Sequence, residues 1–132
     1  MSATKFAEIF DGLAEAYGVF KIEKTAANGK STGKAAILRE PRTMELWEGH
    51  LSGKGTAIGI IPINEQNMCK WGCIDVDQYP LDHKALVERI RKLKLPLVVC
   101  RSKSGGAHCF LFTADWVEAK DLQTTLQSVS AA

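Results

Sequence analysis

Three short pieces of this chain carry residue types that can do chemistry together. The first is Cys73-Ile-Asp-Val-Asp77, in which two aspartates stand two residues apart. Along a strand alternate side chains share a face, so Asp75 and Asp77 point one way while Ile74 and Val76 point the other, toward a core. Two carboxylates a few ångströms apart repel each other, by several kcal/mol where the site is partly buried. A divalent cation removes that repulsion, and hard oxygen ligands suit Mg2+ or Mn2+. A second reading stands beside it: an exposed strand end where water solvates both groups.

The second piece is Arg101-Ser102-Lys103-Ser104-Gly105-Gly106, two cations, two hydroxyls and two adjacent glycines. Adjacent glycines let backbone N–H groups approach an anion, as in a phosphate-binding nest. Arg101 and Lys103 add charge, and Ser104 adds a hydrogen bond. The third piece is His108, which follows the glycines directly and alternates with Phe110 and Phe112. Taken without chemistry, the second and third pieces are a polar hairpin turn and a packed or exposed histidine.

Convergence depends on the elements that carry these residues. Trp71–Val76 reads as a strand. Asp82 caps a helix to about Lys94 whose buried stripe is Leu86, Val87, Ile90 and Leu93. Leu97–Cys100 reads as a second strand, Ser102–Gly106 as a tight turn, and Ala107–Thr113 as a third strand. Strand, helix, strand over so short a span is a βαβ unit, so the first two strands run parallel and the third returns antiparallel to the second. The ends that carry Asp75 and Asp77, the turn, and His108 then fall at one edge. Upstream, residues 4–17 read as an amphipathic helix, Val19–Ile22 as a short strand, Thr25–Lys34 as a flexible loop, residues 43–51 as a short helix, and Thr56–Ile61 as a β-rich run. A further helix begins near Val117, with Leu122 and Leu126 on one side.

Composition bounds the rest. A length of 132 residues fits one domain, and 45% hydrophobic with 24% charged residues places the chain among ordinary globular proteins. No apolar run approaches the roughly 18 residues a membrane span needs, and the amphipathic start reads as no secretory signal, so no membrane partner and a cytoplasmic location are expected. Of the four cysteines, only Cys69 and Cys73 have zinc-like spacing, so reduced, mostly buried thiols are the expectation. The net charge of +2 decides nothing. Its distribution is more suggestive: Lys21, Lys24, Lys30, Lys34, Arg39 and Arg42 face only Glu23 and Glu40 over that stretch. It fits either a path for a phosphate backbone or a solvated loop. Gly29-Lys30-Ser31-Thr32 echoes the end of a phosphate-binding P-loop but lacks its first glycine and its strand–loop–helix setting.

Cys73-Ile-Asp-Val-Asp77, followed about 30 residues later by Ser104-Gly-Gly-Ala-His-Cys-Phe110, resembles motifs one and two of the archaeo-eukaryotic primase superfamily. The nearest likeness is to the bifunctional primase-polymerase domains of phages and plasmids and to related conflict-system primases. Trp47-x-x-His50-Leu-Ser-Gly-Lys54 and Gly59-Ile-Ile-Pro62 are also similar, so the resemblance covers residues 44–128 and, more loosely, the first helix. It implies an α+β fold: an RRM-like primase-polymerase core, its mixed sheet built of the βαβ unit and the following antiparallel strand, behind an N-terminal helical and strand segment. It also implies that residues 1–132 are the N-terminal portion of such a catalytic domain, in a bacterial or phage-infected cell.

The activity implied is metal-dependent, template-directed nucleotidyl transfer by a DNA primase or polymerase. Asp75 and Asp77 hold Mg2+ or Mn2+. His108 and the turn residues Arg101, Ser102, Lys103, Ser104, Gly105 and Gly106 hold the phosphates of a nucleoside triphosphate. DNA template and primer are the further partners, with a downstream helicase or the remainder of a larger polymerase chain. Two departures stand out. Gly106 occupies a position where one branch of the family has serine. The family's third metal-binding aspartate, on a later strand, has no counterpart before Ala132, and Asp115 and Asp121 come too early to replace it. A non-catalytic primase-like module that binds nucleotide or nucleic acid is therefore the alternative.

Overall fold

Side chains at the predicted boundaries start the helices. In the computed structural model, which describes residues 2–27 and 31–132, Thr43 accepts a hydrogen bond from the Leu46 amide at 3.4 Å and opens one helix. Asp82 does the same for Ala85 at 3.0 Å and opens another. Both satisfy amides that a first turn leaves without partners. The element order is α1 (Ala3–Ile9), β1 (Tyr17–Thr25), β2 (Ser31–Leu38), α2 (Met44–Ser52), β3 (Ala57–Gly59), β4 (Met68–Val76), α3 (His83–Lys92), β5 (Val98–Arg101), β6 (Ala107–Glu118) and α4 (Ala119–Ala131). The chain divides into two compact units, residues 1–68 and 69–132.

In the first unit the sheet order is β2-β1-β3, with both pairings antiparallel. Two expectations change here. The opening helix stops at Ile9 rather than running to residue 17, because tertiary contacts take over the chain beyond it. Leu13 donates its amide to the Ile61 carbonyl at 2.8 Å. A Cβ on Gly12 would stand 2.1 Å from that same oxygen, so the close approach requires glycine. The stretch expected to be a loop from Thr25 to Lys34 instead contributes β2, paired with β1 from Tyr17↔Leu38 to Thr25↔Ser31 with a bulge between Ile22 and Lys24. Thr32 and Lys34 stay exposed while the backbone ladder satisfies its own donors and acceptors. Asn28, Gly29 and Lys30, which carry the center of that loop and half of the P-loop echo, lie outside the described residues.

The second unit has sheet order β4-β6-β5. β5 and β6 are antiparallel, with Cys100 opposite His108 and Val98 opposite Phe110. Thr113 reaches the Lys70 carbonyl at 3.1 Å, while Gly106 lies against the Val76 carbonyl, so β4 and β6 also run in opposite directions. The strands joined by α3 are therefore parallel to each other, as a βαβ unit requires, but β6 fills the gap between them. The α+β expectation holds, with every neighbouring pair antiparallel. One face of β6 presents Ala107, Cys109 and Leu111 to the helices. Ile90 packs with Ala107 and Cys109, and Leu122 packs with Cys69 and Leu111. Of the stripe predicted on α3, Ile90 is buried, while Leu93 remains 45% exposed. No described helix is long and apolar enough to cross a membrane.

Candidate metal and nucleotide site

β4 carries the acidic residues and β6 the histidine. Because β6 is packed on one face, its alternate residues His108, Phe110 and Phe112 are turned to the other. The rings make a continuous series. Phe110 lies nearly perpendicular to His108 at 6.0 Å and stacks on Phe112 at 5.9 Å, and Trp71 of β4 reaches Phe110 at 6.0 Å. At the head of this series His108 Nε2 lies 3.6 Å from an Asp75 carboxylate oxygen, within ion-pair range, with side chains 46% and 67% exposed respectively.

Asp77 sits one residue beyond β4. It accepts a hydrogen bond from the Tyr79 hydroxyl at 3.3 Å, and that hydroxyl also contacts Ser104 Oγ at 3.0 Å. The second aspartate is thus linked to the turn through a tyrosine. Asp75 and Asp77 also line one cleft of about 520 Å³, together with Arg89 of α3. The acidic strand is an edge of its sheet and the histidine strand is central.

The turn forms as predicted, and its two glycines serve different needs. Ser102 donates its amide to the Gly106 carbonyl at 3.0 Å, and Gly105 donates back to the Ser102 carbonyl at 3.1 Å. Gly105 has φ +95°, a conformation side chains rarely adopt. At Gly106 the constraint is space, since a Cβ would stand 2.2 Å from the Val76 carbonyl oxygen. A phosphate nest that used the Gly105 amide would have to break the bond closing the turn. Arg101, Lys103 and Ser104 are exposed around it. Ser102 Oγ is buried and has no hydrogen-bond partner.

Three residues here were not singled out from the sequence. His83, the first residue of α3, places its Nε2 2.9 Å from the Gly106 carbonyl and ties the turn to the helix. Tyr79 bridges Asp77 and Ser104. Cys73 directs its thiol at Asp75 across 3.7 Å. The alternation that put Asp75 and Asp77 on one face puts Cys73 there too, so its position was legible. Burial pushes the Cys73 thiol up, and the charge and hydrogen bond of Asp75 add to that, to about 12. Cys73, Asp75 and His108 offer ligand atoms all within 4.8 Å of one another. The four cysteines are free thiols, with Cys69 and Cys109 buried and Cys100 exposed.

The upstream basic stretch divides. Arg42, expected among its phosphate contacts, is turned inward. Its side chain is 10% exposed, pairs with Asp11 at 3.0 Å and donates to the Leu13 carbonyl at 2.8 Å. Lys34 pairs with Glu23 at 3.8 Å on the surface, and Glu40 accepts from the Tyr17 hydroxyl at 2.6 Å.

An acidic strand, a glycine turn and a histidine on the adjacent strand of an α+β sheet describe a primase-like core. The archaeo-eukaryotic primase domain of the TOTE conflict system matches residues 13–131. The chain belongs to this family. No curated protein matches the sequence at a significant level. Domains of this family are typically metal-dependent, and the Cys73, Asp75 and His108 donors form a cluster able to hold an ion.

Proposed function

We propose that residues 69–132 hold a nucleoside triphosphate together with Mg2+ or Mn2+, as the nucleotide and metal part of a primase-polymerase site. The observation that carries this reading is the meeting of Asp75 and His108 at 3.6 Å, at the mouth of the Ser102–Gly106 turn. Asp75 and Asp77 supply hard oxygens, a donor set suited to such a cation when phosphate oxygens complete it. His108, Arg101, Lys103 and Ser104 meet the phosphates, with Ser102, Gly105 and Gly106 shaping the turn behind them. When bound, the cation neutralises charge on the triphosphate during attack by a 3′-hydroxyl. The residues of this chain orient the phosphates and keep them beside the acidic strand. DNA template and primer are the macromolecular partners, and a helicase or further polymerase segment is the protein partner. Residues 1–132 act as one domain, a reading supported by a family match that runs across the boundary at residue 68.

A second reading, a non-catalytic module that grips nucleotide or nucleic acid, is favoured by one observation. Among the described residues, the only mutually close group of three or more His, Cys, Asp or Glu ligands is Cys73, Asp75 and His108, and no further carboxylate joins it. Asp115 is seven residues along β6 from His108, roughly 23 Å away at strand spacing. Calorimetric titration with a nucleoside triphosphate separates both readings from failure. Binding that requires Mn2+ supports the site, and no binding with or without the metal contradicts it. Primer extension then divides the two: binding without incorporation favours the module, and efficient incorporation favours the polymerase.

A further inference from the structure

The group at the head of β6 mixes three kinds of donor, a thiol, a carboxylate and an imidazole. Sulfur has no place in a magnesium site, which wants oxygens at roughly 2.0–2.1 Å in an octahedron. A borderline cation of the zinc kind takes sulfur, nitrogen and oxygen together, in a tetrahedron with bonds of roughly 2.0–2.3 Å. Those bond lengths put neighbouring ligand atoms roughly 3.3–3.6 Å apart, against roughly 2.9 Å for the magnesium octahedron. In the structure the Cys73–Asp75 separation is 3.7 Å and the Asp75–His108 separation is 3.6 Å. Both edges are therefore close to tetrahedral length. The donors also sit on rigid elements: Cys73 and Asp75 alternate along β4, and His108 lies on the strand at the center of the sheet, its ring nearly perpendicular to that of Phe110.

We infer that Cys73, Asp75 and His108 form a three-ligand site for a thiophilic divalent cation such as zinc, and that its occupation antagonises nucleotide binding. The metal site stands on the donor geometry alone. The antagonism rests on the function proposed above, because the same event takes His108 away from phosphate and Asp75 away from a magnesium or manganese ion. Binding replaces the Cys73 S–H bond with a sulfur–metal bond and releases one proton to solvent. A tetrahedral ion held by three side chains keeps its fourth position for water. A change in zinc level would in this way silence the nucleotide site without any change in fold.

Cobalt(II) reports the site directly, because a thiolate ligand gives a charge-transfer band and tetrahedral geometry gives intense visible bands. The reduced full chain titrated with cobalt should show both, with one equivalent bound, and zinc should displace it. Cys73→Ser should abolish the charge-transfer band, and Cys100→Ser, at the exposed cysteine opposite His108, should keep it. His108→Ala should weaken cobalt binding by about tenfold or more, since even outer contacts of a metal site are worth 10–100-fold. Circular dichroism of each variant checks that it is folded. A band that survives Cys73→Ser, or that vanishes in Cys100→Ser alone, overturns the site. With the site established, zinc should weaken Mn2+-dependent nucleotide binding in the wild type and not in Cys73→Ser. Equal zinc sensitivity of the two overturns the antagonism. A wild type that binds cobalt through sulfur but no nucleotide leaves the metal site standing and refutes the function proposed above.

Discussion

The sheet of β2, β1 and β3 and the sheet of β4, β6 and β5 use their strands differently. Along much of the β1–β2 ribbon the side chains lie open to solvent: Ile22 is 54% exposed and Ile37 61%, and the Glu23–Lys34 pair lies in the open. In the second sheet β6 runs between two strands, with Ala107, Cys109 and Leu111 clamped beneath it. Each side chain on its outer face is therefore set by a packed neighbour one residue away. The candidate chemistry falls on this second arrangement, where a side chain's position is fixed to a fraction of an ångström by the core below it. The ribbon offers backbone and charge but little fixed geometry.

Glycine substitutions test this difference most severely. Gly106→Ala drives a Cβ to 2.2 Å from the Val76 carbonyl oxygen between two clamped strands, and should lower unfolding stability by about 3 kcal/mol. Gly33→Ala makes an equally short contact, 2.1 Å to the Lys21 carbonyl oxygen, but the ribbon can shift into solvent, so about 1 kcal/mol is expected. Urea denaturation of both variants measures the contrast. Equal losses would show that the ribbon is as rigid as the second sheet.

Arg42→Ala asks whether the first unit has a clamp of its own. That guanidinium joins Asp11 and the Leu13 carbonyl in a nearly buried position, and removing it should destabilise the protein by about 2 kcal/mol. If Arg42 instead served an external phosphate backbone, stability would be unchanged and only nucleic-acid binding would fall.

The thiols give the smallest effect. Near pH 8 Cys100, exposed on β5, should be alkylated first, and Cys73 far more slowly, since a thiol pushed up to about 12 is ionised to roughly one part in ten thousand there. The same shift has a sign for stability. The folded state keeps the Cys73 proton while the unfolded chain loses it from about pH 9, so stability is intact below pH 9 and falls as pH rises toward 12. Burial moves Cys69 and Cys109 in the same direction. Mass-spectrometric mapping and alkaline denaturation check both points; fast modification of Cys73 at pH 8 would contradict them.

The parts legible in the sequence were those that local chemistry dictates. Asp82 announces its helix because capping is a matter of three residues, and the Ser102–Gly106 turn announces itself through its glycines. Alternation carried His108 onto the right face, and applied one step earlier it would have added Cys73. β2 was not legible, because a strand with exposed polar side chains has no hydrophobic period to read. The early end of α1 depends on Ile61 and Arg42, far away in the chain. His83 gave no signal either, since only the fold brings the start of α3 under Gly106.

The proposed nucleotide site divides its duties between Asp75 and His108, metal for one and phosphate for the other. It is tested most directly by titrating Mn2+ and a nucleoside triphosphate, separately and together, into the wild type, Asp75→Asn and His108→Ala, with binding followed by water-proton relaxation. Asp75→Asn should lose most of the metal binding. His108→Ala should keep the metal and lose about tenfold in nucleotide affinity, the worth of one charge-assisted hydrogen bond. Metal binding that survives Asp75→Asn unchanged, or nucleotide binding indifferent to His108→Ala, would contradict this division of duties.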